Sequence, residues 1–179
     1  MKSFKDMYNQ DVVAAFRTEH GVKNPLQVPK IVKVTLNVGV GRAAKDPDFL
    51  TTVENTLVRI TGQKPVRTKA KKSIAGFKLR QGAIVGMKVT LRKQRMYDFL
   101  EKVLNVTFPR VRDFHGINVT GIDEHGNMTV GFKENLPFPE VRADEIERIH
   151  GLEVTITTTA GTRERGEALF RLLGFPFKK

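Results

Sequence analysis

The segment GVGRAA, residues 39–44, is the first candidate for a chemical site. It follows an alternating apolar stretch and fits the G-x-G-x-x-A pattern of dinucleotide-binding turns. In those turns the helix begins at the glycines, so that its first amides bind the pyrophosphate. Here Lys45, Asp46 and Pro47 intervene, and the carboxylate of Asp46 would repel a phosphate. We therefore interpret the glycines as a turn that leaves a strand.

No other arrangement of residues predicts catalysis or metal binding. Cysteine is absent, which excludes disulfides, thiolate metal sites and cysteine nucleophiles. The four histidines, at positions 20, 115, 125 and 150, do not lie at metal-ligand spacing from one another. Neither a P-loop nor a nucleophile elbow occurs. The sequence predicts a protein that is not an enzyme and that needs no cofactor and no metal.

One segment carries the whole charge imbalance of the chain. The 179 residues include 31 Lys and Arg against 19 Asp and Glu, a formal net charge of +12. Twelve of the basic residues, and no acidic one, lie between Glu54 and Asp98. Such a stretch repels itself unless a polyanion neutralises it. An anionic membrane would favour an amphipathic basic helix, whereas this segment has strand and loop character, so we expect nucleic acid and no membrane.

Residues 68–82, TKAKKSIAGFKLRQG, form the part of this segment with the most RNA-like chemistry. Its small residues and glycines let the backbone approach a phosphate, and its Lys and Arg side chains neutralise phosphates. The ring of Phe77 can stack on an exposed base. The alternative for Phe77, which the sequence leaves open, is an anchor that holds the loop against the core.

Alternation of apolar and polar residues predicts strands within 31–41, 86–93 and 152–160. Their inward residues are Val32, Val34, Leu36, Val38 and Val40; Met87, Val89 and Leu91; and Leu152, Val154 and Ile156. Helical periodicity predicts helices from 2 to Gly21, from Asp46 to Gly62, up to Pro109 and after Thr162, with a short helix near 144–150. We predict an α+β fold in one domain, 1–179, with helices packed on one face of a largely antiparallel sheet and an extended basic loop.

Several blocks of this sequence resemble the bacterial large-subunit ribosomal protein five family, the universal 5S rRNA-binding ribosomal proteins. The blocks occur in the family order and cover nearly the whole chain: LQVPKIVKVTLNVGVG (26–41), GQKPVRTKAKKSIAGFKLRQG (62–82), KVTLRKQRMYDFL (88–100), PRVRDFHGI (109–117), EHGN (124–127), FPEV (138–141), GLEVTITTTA (151–160) and GFPF (174–177). The resemblance implies a cytoplasmic, structural constituent of the large ribosomal subunit. It also implies 5S rRNA and 23S rRNA in the central protuberance, P-site tRNA and small-subunit protein thirteen as partners, and we expect no homo-oligomer.

The family pattern also assigns residues to three contacts. Those implied to bind rRNA are Lys33, Asn37, Gln63, Lys64, Lys88, Thr90 and Arg92, most of which the alternation already places on outward faces. Those implied to face tRNA are Lys71, Lys72, Ser73, Phe77, Lys78 and Arg80. Those implied to bridge to the small subunit are Arg110, Arg112, Asp113, Phe114 and His115. The sequence departs from the family at Lys71 (usually Arg), Ile84 (Pro), Lys93 (Gly), His115 (Arg) and Met128 (Tyr).

Two other classes of function compete with this interpretation. An enzyme that uses a nucleotide would bind NAD, ATP or S-adenosylmethionine with a defined stoichiometry. A DNA architectural protein would prefer duplex DNA over structured RNA, whereas we expect the reverse preference.

Overall fold

The computed structural model describes residues 3–41, 46–77, 79–141 and 149–178. Its strands form one five-stranded antiparallel sheet in the order β2-β3-β1-β5-β4. The strands are β1 (Ile31–Gly39), β2 (Val66–Lys69), β3 (Ile84–Leu91), β4 (Met128–Phe132) and β5 (Leu152–Thr158). Helices accompany the sheet, so the predicted α+β class is confirmed.

The helices are short and two of them continue through wide π turns. They are α1 (Phe4–Met7), α2 (Val13–His20), α3 (Pro47–Thr61), α4 (Lys93–Lys102), α5 (Phe108–Arg110) and α6 (Arg163–Leu172), with π turns at Tyr8–Val12 and Val103–Thr107. Single 3₁₀ turns occur at Pro25–Gln27, Ala75–Phe77 and Val119–Gly121. In the part of the chain that the structure describes, no helix is long and apolar enough to cross a membrane.

The first helical stretch is continuous from Phe4 to His20 and ends at Gly21, whose φ of 63° is left-handed. This confirms the predicted helix within the described residues. Its buried stripe is Phe4, Tyr8, Val12 and Phe16, four residues apart throughout. Ala15, beside Phe16, is only half-buried. The π turn adds a residue to one turn and thereby keeps every fourth side chain on the same face.

The predicted end of the third helix at Pro109 is wrong by one residue. The chain stays helical through Pro109, and α5 ends at Arg110. The π turn before it lets the amide of Phe108 donate to the carbonyl of Val103, five residues back. The backbone hydrogen bonds have therefore already changed from i→i−4 to i→i−5 before Pro109, which has no amide hydrogen to donate. The wider turn also leaves room for the proline ring.

Helix α3 begins and ends where the sequence predicted. The Oδ1 atom of Asp46 accepts hydrogen bonds from the amides of Asp48 (3.0 Å) and Phe49 (3.2 Å), and Pro47 occupies the first turn. Gly62 ends the helix at a φ of 65°. The Asp46 carboxylate thus occupies the amides that a nucleotide phosphate would need. Residues 42–44 of the GVGRAA motif lie outside the described residues, as do positions 144–148 of the predicted short helix.

The chain divides into two compact units. Unit 1 comprises residues 1–34, 91–130 and 155–179, and unit 2 comprises residues 35–90 and 131–154. The prediction of one domain, 1–179, stays a prediction.

In unit 1, α1 packs on α4 and α2 packs on α6. The ring centroids of Phe4 and Tyr97 are 6.3 Å apart. The Tyr8 hydroxyl donates to the carbonyl of Pro29 at 3.0 Å. Burial, with a smaller contribution from Tyr97, raises the pKa of Tyr8 to about 12. The buried phenol therefore stays protonated and keeps this hydrogen bond at any physiological pH.

In unit 2, aromatic side chains fill the interior between the strands and α3. The rings of Phe132 and Phe138 meet edge to face at 5.3 Å, and Phe49 of α3 meets the buried His150 at 6.2 Å. His150 therefore belongs to the interior of unit 2.

Strand alternation is confirmed with one exception. The predicted inward residues of β3 and β5, and those of β1 from Val34 onward, are almost fully buried. Val32 is 37% exposed, and Ile31 beside it is 5% exposed. The predicted inward position of Val32 is therefore wrong. At the start of β1 the protein interior covers the side of the strand that carries Ile31.

Lys93, at the first position of α4, has a φ of 55°. This left-handed conformation costs a residue with a Cβ about 1–2 kcal/mol, and glycine adopts it freely. The strain gives a physical reason for the glycine that the resembling family commonly has here. We expect Lys93→Gly to raise the free energy of unfolding by about 1 kcal/mol in urea denaturation.

Gln94→Gly is the matched control for this prediction. Gln94 follows Lys93 in the same helix and has no positive φ. Glycine there should lower the free energy of unfolding by up to about 1 kcal/mol. Loss of stability in both variants would contradict the strain at Lys93.

Candidate nucleic-acid interface

The outward face of β2 and β3 in unit 2 carries Lys88, Thr68 and Thr90 beside the exposed Val66. The strands pair antiparallel, with Val66 opposite Lys88 and Thr68 opposite Gly86. Residues directly opposite each other lie on the same face of a sheet. Lys88 is exposed and Thr90 half-buried, whereas Met87, Val89 and Leu91 between and beside them are buried.

Strand β1 contributes Asn37 to this face. A methyl group added at Gly86 would lie 2.9 Å from Thr68 Oγ1 and 3.8 Å from Asn37 Oδ1. The side chains of Thr68 and Asn37 therefore converge above a position that has no side chain. The sequence predicted Asn37 but missed Thr68 and Gly86, because the apolar Val66 on the same face as Thr68 gave no signal that this face of β2 is outward.

The turn that joins α3 to β2 holds Gln63 and Lys64. The Gln63 amide donates from Nε2 to the carbonyl of Thr90 at 3.3 Å, which ties the turn to β3. Gln63 is half-buried and Lys64 is exposed. Four of the residues implied to bind rRNA in unit 2, namely Gln63, Lys64, Lys88 and Thr90, thus lie on one strand and the turn hydrogen-bonded to it.

Polar groups on this face lack protein partners. Among the residues that the structure describes, the Asn37 amide and the hydroxyls of Thr68 and Thr90 make no hydrogen bond. Asn37 is exposed and the two threonines are half-buried, so all three side chains are open to a ligand that can form hydrogen bonds with them. The face therefore offers both hydrogen bonds and positive charge to a ligand.

Arg67, in the basic segment, points away from this face. Arg67 lies opposite the buried Met87, and its guanidinium reaches Glu54 on α3, with Nη2 2.6 Å and Nε 3.1 Å from the same carboxylate oxygen. Its charge is thus neutralised within the protein. The stretch without acidic residues therefore still has a carboxylate beside it in the structure, because Glu54 at its boundary contacts Arg67.

Two residues implied to bind rRNA belong to unit 1. Lys33 is half-buried in the first part of β1, and Arg92 is exposed directly after β3. Lys33 shares its side of β1 with the buried Ile31, and Arg92 follows the last residue of β3. That they act together with the face on unit 2 stays a prediction.

The basic loop has an internal hydrogen-bond framework. The amide of Ala70 donates to the carbonyl of Ala83 at 2.8 Å, and the amide of Gly82 returns to Ala70 at 3.0 Å. Further out, Ile74 and Leu79 form a bridge. The Ser73 hydroxyl accepts a hydrogen bond from the amide of Gln81 at 2.9 Å. Ser73 therefore shapes the loop, whatever else it contacts.

The side chains of this loop point to solvent. Residues 71–77 and Arg80 are exposed, and Phe77 is 81% exposed. The alternative in which Phe77 anchors the loop in the core is therefore wrong. Lys78 lies outside the described residues. Lys71, Lys72 and Arg80 remain exposed charges, and the role of this set toward tRNA stays a prediction.

The segment implied to bridge to the small subunit is an exposed turn in unit 1. Arg110, Arg112, Asp113 and His115 are exposed, and Asp113 has a φ of 52°. The ring of Phe114 stacks on that of Phe108 at 5.1 Å and 18°. Phe114 therefore anchors the turn, whereas its four neighbours present their side chains outward.

The EHGN block has a structural role. Asp123 Oδ1 accepts hydrogen bonds from the amides of His125 (2.9 Å) and Asn127 (2.7 Å), and Asn127 Oδ1 accepts one from the amide of Thr158 (2.9 Å). Although burial raises the pKa of Asp123, the hydrogen bond from Asn127 Nδ2 and those from the amides of Asn127 and His125 hold this pKa below its usual value. The turn around His125 is thus a rigid corner beside β4. Within the described ranges, no group of three or more His, Asp or Glu could hold a metal ion.

Known proteins match this chain along its length. A family model described as "Ribosomal protein L5" matches residues 24–80, and a second model, which describes the C-terminus of the same ribosomal protein family, matches residues 84–177. The chain is 49% identical over 178 residues to "Large ribosomal subunit protein uL5" of Francisella tularensis subsp. novicida (strain U112), covering 99% of both chains. It is 48% identical over 179 residues, all of both chains, to the protein of the same name from Carboxydothermus hydrogenoformans.

The two matches meet at the end of the basic loop, so that β1 and β2 fall within the first and β3, β4 and β5 within the second. Together they cover all five strands and the six residues of the candidate face, Asn37, Gln63, Lys64, Thr68, Lys88 and Thr90. The resemblance inferred from the sequence blocks is thereby confirmed, and the chain belongs to the ribosomal protein L5 family.

Proposed function

We propose that this protein binds 5S rRNA through the outward face of β1, β2 and β3 in unit 2 and helps attach it to 23S rRNA in the central protuberance. Membership of the ribosomal protein L5 family makes it a non-enzymatic constituent of the large ribosomal subunit, located in the cytoplasm.

The observation that carries the proposal is the set of polar groups that the protein leaves without partners. The Asn37 amide and the hydroxyls of Thr68 and Thr90 lie on a polar sheet face beside the exposed Lys88. The minor groove of an RNA helix is wide and shallow and displays 2′-hydroxyls and base edges. A flat surface with short polar side chains can reach these groups.

Lysines around this face supply the part of the affinity that does not depend on the RNA sequence. Lys64 and Lys88 are exposed, and no acidic side chain occurs between Glu54 and Asp98. Each phosphate that a lysine neutralises releases counterions, which favours binding. The short polar groups then determine register and selectivity on the RNA.

The basic loop is proposed to contact P-site tRNA through Lys71, Lys72, Phe77, Lys78 and Arg80. The exposed ring of Phe77 supports stacking on a base or ribose, because a large apolar side chain gains by leaving water. The hydrogen bond from Gln81 to Ser73 supports a loop that keeps its shape before it meets RNA.

The turn at Arg110–His115 is proposed to bridge to small-subunit protein thirteen. Its exposed charges of both signs suit a polar and transient protein contact. The stacking of Phe114 on Phe108 supports a turn that keeps its conformation as the subunits move.

A competition assay tests the central proposal. Labelled 5S rRNA is bound to the protein at 150 mM salt and competed with unlabelled 5S rRNA, unrelated RNA of equal length and duplex DNA. We expect 5S rRNA to compete best and DNA worst. Equal competition by all three would reject specific 5S rRNA binding.

Asn37→Ala combined with Thr90→Ala should weaken 5S rRNA binding about 10- to 100-fold, because each lost hydrogen bond is worth about 0.5–1.5 kcal/mol. Circular dichroism should be unchanged, since neither side chain contacts the core. The matched control is Asn55→Ala with Thr51→Ala on the exposed face of α3. Equal affinities of the two double variants would reject the assignment of this face.

A further inference from the structure

We infer that Thr68 is a further RNA-contacting residue, whose hydroxyl acts with the Asn37 amide to bind a ribose 2′-hydroxyl above Gly86. This inference rests on the proposed binding of 5S rRNA. It names a chemical group of the RNA and a residue that the resemblance to the family did not assign.

The pairing of β2 with β3 fixes where Thr68 points. Thr68 lies opposite Gly86, and Val66 lies opposite Lys88, so that Thr68 shares the outward face. Arg67, between them, points the other way to Glu54. The register of an antiparallel pair thus places a small hydroxyl beside the residues proposed to bind RNA.

Gly86 is buried, and its missing side chain lets the Thr68 hydroxyl lie over β3. A Cβ there would lie 2.9 Å from Thr68 Oγ1 and 3.1 Å from the carbonyl oxygen of Val38. Both distances are shorter than ordinary contacts to carbon, so no larger residue fits without displacing Thr68 or the backbone of β1. A ribose hydroxyl therefore binds on the solvent side of the half-buried Thr68, beside the exposed Asn37.

The chemistry of the surrounding atoms favours a hydroxyl over a phosphate. The nearest groups are the Thr68 hydroxyl and two acceptor oxygens, those of Asn37 Oδ1 and the Val38 carbonyl. A phosphate only accepts hydrogen bonds at neutral pH, so it cannot use an acceptor oxygen at this point. A ribose 2′-hydroxyl donates and accepts, so it can donate to an acceptor oxygen and accept from Thr68.

Lys88 lies where its side chain can contact a phosphate next to the bound ribose. It is the next outward residue after Gly86 on β3, about 6.6 Å further along the strand. Its side chain is exposed and long enough to meet a backbone phosphate on either side of the bound ribose. Hydrogen bonding at Thr68 and charge at Lys88 therefore act on one stretch of RNA backbone.

The test compares Thr68→Val, which keeps the shape and removes the hydroxyl, with Thr68→Ser, which keeps the hydroxyl. Affinities are measured for 5S rRNA transcripts with normal ribose, with 2′-deoxypurines and with 2′-deoxypyrimidines. We expect Thr68→Val to weaken binding of the normal transcript about three- to tenfold and Thr68→Ser to restore it to within about twofold. On the deoxy transcript that lacks the contacted hydroxyl, Thr68→Val should have no further effect.

Thr51→Val on the exposed face of α3 is the matched control and should bind every transcript as the wild type does. If wild-type protein does not prefer 5S rRNA over unrelated RNA, the proposed function itself fails. If it does prefer 5S rRNA but Thr68→Val binds the normal transcript equally well, only the role of Thr68 is overturned. An equal loss for Thr68→Val on all three transcripts would overturn the 2′-hydroxyl as the bound group.

Discussion

Gly166→Ala is expected to lower the free energy of unfolding by about 3 kcal/mol, although alanine favours helices by up to about 1 kcal/mol over glycine. A Cβ at position 166 of α6 would lie 2.5 Å from the Cα atom and 2.7 Å from the carbonyl oxygen of Gly126. Both contacts are with backbone, which cannot rotate away as a side chain does.

The corner that holds Gly126 has little freedom to give way. Gly126 has a φ of 79°, and its carbonyl accepts the Thr158 hydroxyl at 2.7 Å. A Cβ on Gly126 would itself lie 2.6 Å from the carbonyl oxygen of Thr162, just before α6. Relief of the clash in Gly166→Ala therefore requires α6 to move or the bond to Thr158 to break.

Thermal denaturation checks this prediction, and the midpoint should fall by about 6–12 °C for a chain of this size. Gly131→Ala is the control, because Gly131 has no positive φ and a Cβ there would meet nothing within 4 Å. Its midpoint should stay within about 2 °C of the wild type. A Gly166→Ala protein as stable as Gly131→Ala would contradict the close approach of α6 to the corner.

Affinity for 5S rRNA is expected to fall about 10²-fold between 50 and 200 mM salt, if roughly three or four basic side chains contact phosphates. The cations proposed to bind rRNA can supply that number, whereas those of the basic loop are assigned to tRNA. They are the exposed Lys64, Lys88 and Arg92, together with the half-buried Lys33.

Two variants with the same change in net charge separate contact from long-range attraction. Lys88→Gln removes an exposed cation from the face and should reduce the slope of log affinity against log salt by about 1. Arg67→Gln removes a cation that is paired with Glu54 at 2.6 Å and should leave the slope nearly unchanged. Filter binding over a salt series measures both slopes.

An equal change of slope in the two variants would mean that the salt dependence of RNA affinity follows only the net charge of the segment. The assignment of Lys88 to a phosphate contact would then be wrong. The same series on duplex DNA gives the non-specific slope, which should be insensitive to Thr68→Val.

Patterns within a few neighbouring residues predicted the strands and the helix ends next to the candidate face. Side chains of a strand alternate between two faces, so the sequence of β3 alone separates Lys88 and Thr90 from Met87 and Val89. Helix ends follow equally local chemistry, as Asp46 and Gly62 show at α3. For these features the nearest neighbours in sequence supply most of the energy that decides the conformation.

Non-local contacts decided the rest. The tie between Arg67 and Glu54 spans thirteen residues, and nothing in a run of basic residues indicates which one folds onto an acid outside the run. The exposure of Phe77 depends on where the loop leaves the sheet, because the same ring is compatible with burial. The passage of helix through Pro109 depends on a π turn, which has no local sequence signature.

The sequence by itself determined the family, three of the five strands with the long helices, and the positive charge that favours a polyanionic partner, because these depend on residue types and on short periodicities. Only the tertiary structure decided that Thr68 and Asn37 converge above Gly86 and that Gly166 meets Gly126. Strand register and helix packing bring together residues far apart in the chain. The free energy that selects one register is spread over many contacts, so no single segment encodes it.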